Sequence, residues 1–237
     1  MSHGEVLVEV RGLVKDFHAL RPLRIAELIL REGQSVALLG LDRAMAEVLV
    51  NLITGATVPD TGTVSVFGEP TTSIQTLDTW VNTLDRFGLI SDRAVLVDRF
   101  TAAQNLALPL SLEIEHMSAS LRSTARQLAE QVRLPETELD RPTGALPAAL
   151  QLRIRLGRAL AMEPRVLLAE HPNALTSRED VAAFAGDYSR IVSNLGLTSL
   201  VMTADGSFAT AVAGDVLVLE PATGALKPLS GWRRWFA

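Results

Sequence analysis

Residues 35–53 hold the part of the chain best suited to chemistry. Ser35-Val-Ala-Leu-Leu-Gly40 is followed by Leu41-Asp-Arg-Ala-Met-Ala-Glu47, with apolar residues at Met45, Val48, Leu49, Leu52 and Ile53. The first run reads as a buried strand ending in glycine, and the spacing after it has a helical period. A helix N-terminus offers free N–H groups and a positive dipole end, which suits phosphate. In the phosphate-binding pattern G-x-x-x-x-G-K-[ST], glycines let the backbone wrap the phosphates and a lysine reaches them. Gly40 supplies the first glycine, but Met45, Ala46 and Glu47 stand where Gly, Lys and Ser/Thr belong. Lys15 and Lys227 are the only lysines, and neither follows a glycine-rich turn. Arg43 is the one cation in the loop, either facing a phosphate or lying solvated on the surface. Asp42 and Glu47 are expected in the first turn, satisfying the helix end themselves, with Asp42 as N-cap. A carboxylate ~4 Å from a phosphate charge costs about 4 kcal/mol at an effective dielectric of about 20. Weak or absent phosphate binding is therefore expected.

The elements that must position this loop follow from periodicity. Val6 to Val10 alternates as a strand, and Leu23 to Leu30 reads as another before the Glu32-Gly33 turn. Pro59-Asp-Thr-Gly62 is a turn, and Thr63 to Phe67 a strand closing a hairpin-like unit. From about Arg93 to Ala161 the pattern turns helical. Leu121, Ala125, Leu128 and Val132 share one face, and Pro147 opens a helix running to Ala161. Val166 to Ala169 is a short buried strand. Ser177, supported by Asp180, caps a helix that turns Val181, Phe184, Ala185, Tyr188, Ile191 and Val192 to the core. Thr198 to Thr203 and Asp215 to Glu220 are further strands. Strands alternating with helices imply a parallel sheet with right-handed crossovers.

The 237 residues are long enough for a large core in one domain with two lobes. A net charge of −5 argues against general nucleic-acid binding. With no cysteine, disulfides and thiolate metal sites are excluded. No apolar run approaches the ~18 residues of a membrane span, and Met-Ser-His-Gly-Glu5 begins no signal sequence, so a soluble cytoplasmic chain is expected.

In order and register, these stretches resemble the ATP-binding subunit of an ABC transporter, over about residues 5–228. Val14-Lys-Asp-Phe17 resembles the segment bearing the adenine-stacking aromatic, and Gly40 to Gly55 with Pro59 to Val64 keeps the family's spacing from P-loop to hairpin. Thr101 to Leu110 resembles the start of the helical subdomain after the Q-loop. Gly157-Arg-Ala-Leu-Ala161 and Glu163 to Leu168 resemble the signature helix and the strand after it. Thr203-Ala-Asp205 and Asp215 to Glu220 resemble the switch region and last strand. The resemblance implies a P-loop NTPase-type (RecA-like), mostly parallel sheet with an antiparallel β-subdomain and a helical subdomain. The single ABC-type domain would divide at about 1–91 (β-subdomain and P-loop core), 92–163 (helical subdomain), 164–228 (rest of the core) and 229–237 (tail).

Matching the family's motifs residue by residue exposes departures. The signature L-S-G-G-Q falls on Leu146-Pro147-Ala148-Ala149-Leu150, losing the serine and glycines that contact a partner's nucleotide. The Q-loop glutamine falls on Asp92, the magnesium-binding Asp on Glu170, the general-base glutamate on His171 and the switch histidine on Ala204. Asn173 to Ser177 shows no recognisable D-loop. Glu170 is left as a lone candidate for Mg²⁺, a poor octahedral site without the serine hydroxyl. His171 reads either as a base orienting water or as a polar residue with a local hydrogen bond. Phe17 either stacks on adenine or covers the core.

Because each ATP in this family lies between one subunit's P-loop and the other's signature, a chain altered on both surfaces leaves two impaired sites in a homodimer. It also impairs both sites in a heterodimer with another ABC ATPase subunit. The resemblance thus implies a catalytically degenerate pseudo-ATPase, a scaffold or regulatory partner of a membrane permease in lipid or solute transport. It would lie on the inner face of the cell membrane through that permease. Asp92 to Leu110 is the implied docking face, with Pro109-Leu-Ser-Leu-Glu-Ile114 offering apolar groups. The alternatives are an atypical active ATPase, with Glu170 on Mg²⁺, Arg43 on phosphate and His171 near the water, and a stand-alone binding module. The tail, Gly231-Trp-Arg-Arg-Trp-Phe-Ala237, combines aromatic and basic residues, suited to a membrane interface or an acidic groove, or to packing on its own domain.

Overall fold

Alternating apolar residues carry strand β1 (Val6–Lys15) well past the expected Val10, with Leu13 buried and Gly12 at positive φ marking an irregularity in the ladder. It pairs antiparallel with β2 (Leu23–Arg31) on one side. On the other side lies β4 (Thr61–Val66), followed by the short β5 (Glu69–Pro70). The Pro59–Gly62 turn therefore delivers a strand to β1 rather than closing a local hairpin. The computed structural model describes residues 4–74 and 76–229, so the Trp232–Phe236 tail lies outside the described residues.

The second sheet has the order β10-β9-β3-β8-β7-β6. Its members are β3 (Ser35–Leu39), β6 (Phe87–Ile90), β7 (Val166–Glu170), β8 (Thr198–Thr203), β9 (Asp215–Glu220) and β10 (Ala225–Pro228). All neighbours are parallel except β9 and β10. Every residue of β7 and β8 is buried, as expected of continuous apolar strands covered on both faces.

Helix α1 (Arg43–Ile53) packs Leu49, Leu52 and Ile53 into a core shared with the antiparallel sheet. A second core gathers α3 (Ala102–Ala107), α4 (Ala119–Gln131), α5 (Ala148–Leu160), α6 (Arg178–Asn194) and α7 (Gly206–Val212) on the other face of the parallel sheet. Between β5 and β6 lies α2 (Leu77–Leu84), which buries none of its residues. Gly157 lets α5 approach α3, since a Cβ there would meet Leu106 at 2.4 Å. Residues 91–101 form a loop, so the helical region begins at Ala102 rather than near Arg93. Among the described residues, no helix is long and apolar enough to cross a membrane.

Candidate functional site

The loop after β3 runs from Gly40 into the N-terminus of α1, which the chain's own Asp42 caps. Gly40 sits at φ +92°, where a Cβ would come within 3.1 Å of the Leu219 carbonyl, so glycine fits this turn into α1. Asp42 is the N-cap as expected, its carboxylate accepting the Met45 N–H at 2.8 Å. An anionic oxygen thus already occupies one of the free donors at the helix end. Ala46 is fully buried in the core beneath the loop. Glu47 lies in the second turn of α1, not the first, so the expectation that it satisfies the helix end is corrected. Its side chain points instead to Arg93, whose Nη1 lies 3.4 Å from Glu47 Oε1.

Arg93, on the loop after β6, was not singled out by sequence reasoning, and it is the hub of the site. Its Nη2 and Nε bond the two carboxylate oxygens of Glu170, the Nε contact at 3.3 Å. Its Nη1 reaches Asn51 Oδ1 at 3.3 Å. Ser91 donates its hydroxyl to Glu170 Oε2 at 2.8 Å and accepts the Arg93 N–H at 3.1 Å. Glu170, at the end of β7, has a side chain only 7% exposed, while Arg93 is 35% exposed. Burial works against the Arg93 charge, but the hydrogen bond and charge of Glu170, with the charges of Glu47 and Asp92, hold its pKa above the usual guanidinium value. Arg43, the other cation, pairs with Asp92 at 2.8 Å across the same gap, both side chains being well exposed. Two guanidiniums therefore tie α1 and β7 to the loop after β6.

The remaining candidates stand around this cluster without joining it. His171 follows Glu170 in left-handed backbone (φ 44°), its N–H donating to the Met202 carbonyl at 2.8 Å. Its ring is buried, and Nε2 makes no hydrogen bond. Ala204 is exposed at the end of β8, before Asp205 caps α7. Phe17 is half-buried and packs against the core around α1. In the signature-like stretch, Leu146 is buried, Pro147 precedes α5 without a side-chain cap, Ala148 is exposed, and Ala149 and Leu150 are half-buried. In the expected docking segment, Leu110 and Leu112 are exposed while Ile114 is core. Beside it lies a groove of about 230 Å³ lined by Arg155 and Arg158 together with Leu89, Ala94, Pro109 and Met162. Burial lowers the pKa of both arginines, and Arg158 Nη1 bonds the Val95 carbonyl at 2.7 Å.

Residues 23–174 match the family model described as ABC transporter. This chain belongs to the ABC transporter family. Among its relatives, this cassette is 30% identical over 219 residues to the sulfate/thiosulfate import ATP-binding protein CysA of Methylococcus capsulatus, covering 90% of this chain and 60% of that protein. It is 27% identical to the lipoprotein-releasing system ATP-binding protein LolD 1 of Caulobacter vibrioides, covering 86% and 88%. The cassette thus spans little more than half the length of the import protein it matches. Its fold is that of the ATP-binding cassette MJ0796, solved as a dimer in a post-hydrolysis state bound to ADP and Pi. The TM-score is 0.76 at 21% identity, covering 95% of this chain and all of that one. The P-loop-type α/β architecture read from the sequence is the observed one.

The side chains at the cleft are engaged with one another. Ala46, at the lysine position by resemblance, is buried, and both oxygens of Glu170 are engaged by the chain's own side chains. Among the described residues, no three His, Cys, Asp or Glu side chains converge to hold a metal ion.

Proposed function

We propose that this cassette is a catalytically degenerate ATP-binding subunit serving as scaffold or regulatory partner of a membrane permease. The observation carrying this reading is the self-filled cleft: Arg93 bridges Glu170 and Glu47 beside a P-loop whose lysine position is Ala46. A phosphate entering here would face Asp42 and Glu47, each repelling it by about 1–4 kcal/mol depending on screening. On this reading the signature-like Leu146 to Leu150 contributes no hydroxyl or glycine backbone to a partner's site, whether the assembly is a homodimer or a heterodimer. The cassette's contribution is then its docking surface. The groove lined by Leu89, Ala94, Pro109, Met162, Arg155 and Arg158 combines apolar and cationic groups, and Val95, Leu110 and Leu112 are exposed. That combination suits a short amphipathic segment of a permease, and the relatives' transport roles support the assignment. Lipid and solute cargo are both compatible with it.

A photo-crosslinking side chain at Leu112, which is 93% exposed, tests the reading in cells and in isolated membranes. The expected adduct is with an integral membrane protein, at a yield unchanged by adding Mg-ATP or depleting nucleotide. Absence of any membrane-protein adduct, or a yield that follows Mg-ATP, contradicts it.

A further inference from the structure

Three oxygen-bearing side chains converge on one guanidinium, and a fourth bonds one of them. Glu47 and Asn51 come from successive turns of α1, Glu170 from the end of β7, and Ser91 from the loop after β6. Arg93 touches Glu47, Asn51 and Glu170 with its side chain, and Ser91 completes the ring by donating to Glu170. Two carboxylates, an amide oxygen and a hydroxyl are the donor types that hard divalent cations take. The ring already holds a cation, supplied covalently by the chain.

We propose that Arg93 is a built-in counter-ion that stands in for a divalent cation among these oxygens, so that removing its guanidinium converts Glu47, Asn51, Ser91 and Glu170 into a Mn²⁺ or Mg²⁺ site. The guanidinium does two things a metal would do. It neutralises the buried Glu170, whose isolated charge at 7% exposure would be costly. It also fastens the loop leading to the helical region onto α1 and β7, with no ligand needed. Arg93 excludes a metal both sterically and by charge, since a divalent ion beside a fixed guanidinium meets strong repulsion.

This inference rests on the ion-pair geometry and stands apart from the pseudo-ATPase reading, which Mg-ATP binding decides on its own. The test is a Mn²⁺ titration without nucleotide, following the free-ion electron paramagnetic resonance signal. It compares the natural chain, Arg93→Lys, Arg93→Ala and the Arg93→Ala/Glu170→Gln double variant. The natural chain and Arg93→Lys, which keeps the charge, are expected to leave Mn²⁺ free. Arg93→Ala is expected to bind one equivalent more tightly by about tenfold or more, the scale on which one neighbouring unit charge acts at a partly exposed site. The double variant is expected to lose that gain. Arg93→Gln, which retains the side-chain stem, is run alongside so that a fold lost in Arg93→Ala does not remove the comparison. Glu170-dependent Mn²⁺ binding by the natural chain overturns the proposal. So does a folded Arg93→Gln or Arg93→Ala with no gain, or a gain that survives Glu170→Gln.

Discussion

Single residues decide whether this loop can receive an anion. Asp42 caps α1 with a carboxylate, so Asp42→Ala removes both the cap and a negative charge. It is expected to cost about 0.5–2 kcal/mol in urea denaturation, whereas Asp42→Ser retains a capping oxygen and most of the stability. The loss of the lysine, the Asp42 cap and the placement of Glu170 and His171 at the end of a buried strand were all legible from local pattern. Arg93 was not. It is 77 residues from Glu170 and 42 from Asn51 in sequence, and only the parallel pairing of β6 with β7 brings its loop beside theirs. No local period or motif marks such a residue. Reading Glu47 as a first-turn residue failed because the helix starts at Arg43, which places Glu47 just past the first turn.

At the scale of elements, α5 and α6 are joined by a second ion cluster. Asp187 on α6, 9% exposed, receives Arg153 of α5 at 2.5 Å, Arg190 at 3.0 Å and Arg133 at 3.1 Å. Burial pushes the Asp187 pKa up, but the hydrogen bond and charge of Arg153, with Arg190 and Arg133, hold it below the usual carboxylate value. The folded value lies under the unfolded one, so its stabilisation is complete above about pH 4 and is lost as pH falls through the depressed folded value. Asp187→Ala leaves Arg153 without its partner and is expected to cost about 3 kcal/mol, read as a lower midpoint in urea. Between about pH 4 and 2 that difference is expected to shrink. The same scale shows why some elements escaped the sequence reading. β6 has four residues and no alternation and β10 is short with none of its residues buried, whereas α2 was missed although Leu77, Trp80, Val81 and Leu84 fall at helical spacing. The continuous apolar strand β8, the helix α5 and the capped helix α6 carry strong signals, and each lies close to where the pattern put it.

At the scale of the whole molecule, the fold is that of an ABC cassette. On the proposed pseudo-ATPase reading nucleotide adds no interface, so Mg-ATP is expected to leave the sedimentation coefficient unchanged over a range of protein concentrations. The architecture was legible because burying a central parallel strand demands a continuous apolar run, which β3, β7 and β8 display. The function of the cleft was legible only in part, because what fills it is assembled from segments far apart in the chain. The most direct measurement is calorimetric titration of the natural chain with Mg-ATP. No resolvable heat at millimolar nucleotide is the expected result, with binding gained in an Ala46→Lys/Glu47→Ser/Arg93→Gln variant. A micromolar dissociation constant for the natural chain, about −8 kcal/mol of binding free energy, would contradict the account and return Arg43, Glu170 and His171 to the role of a working site.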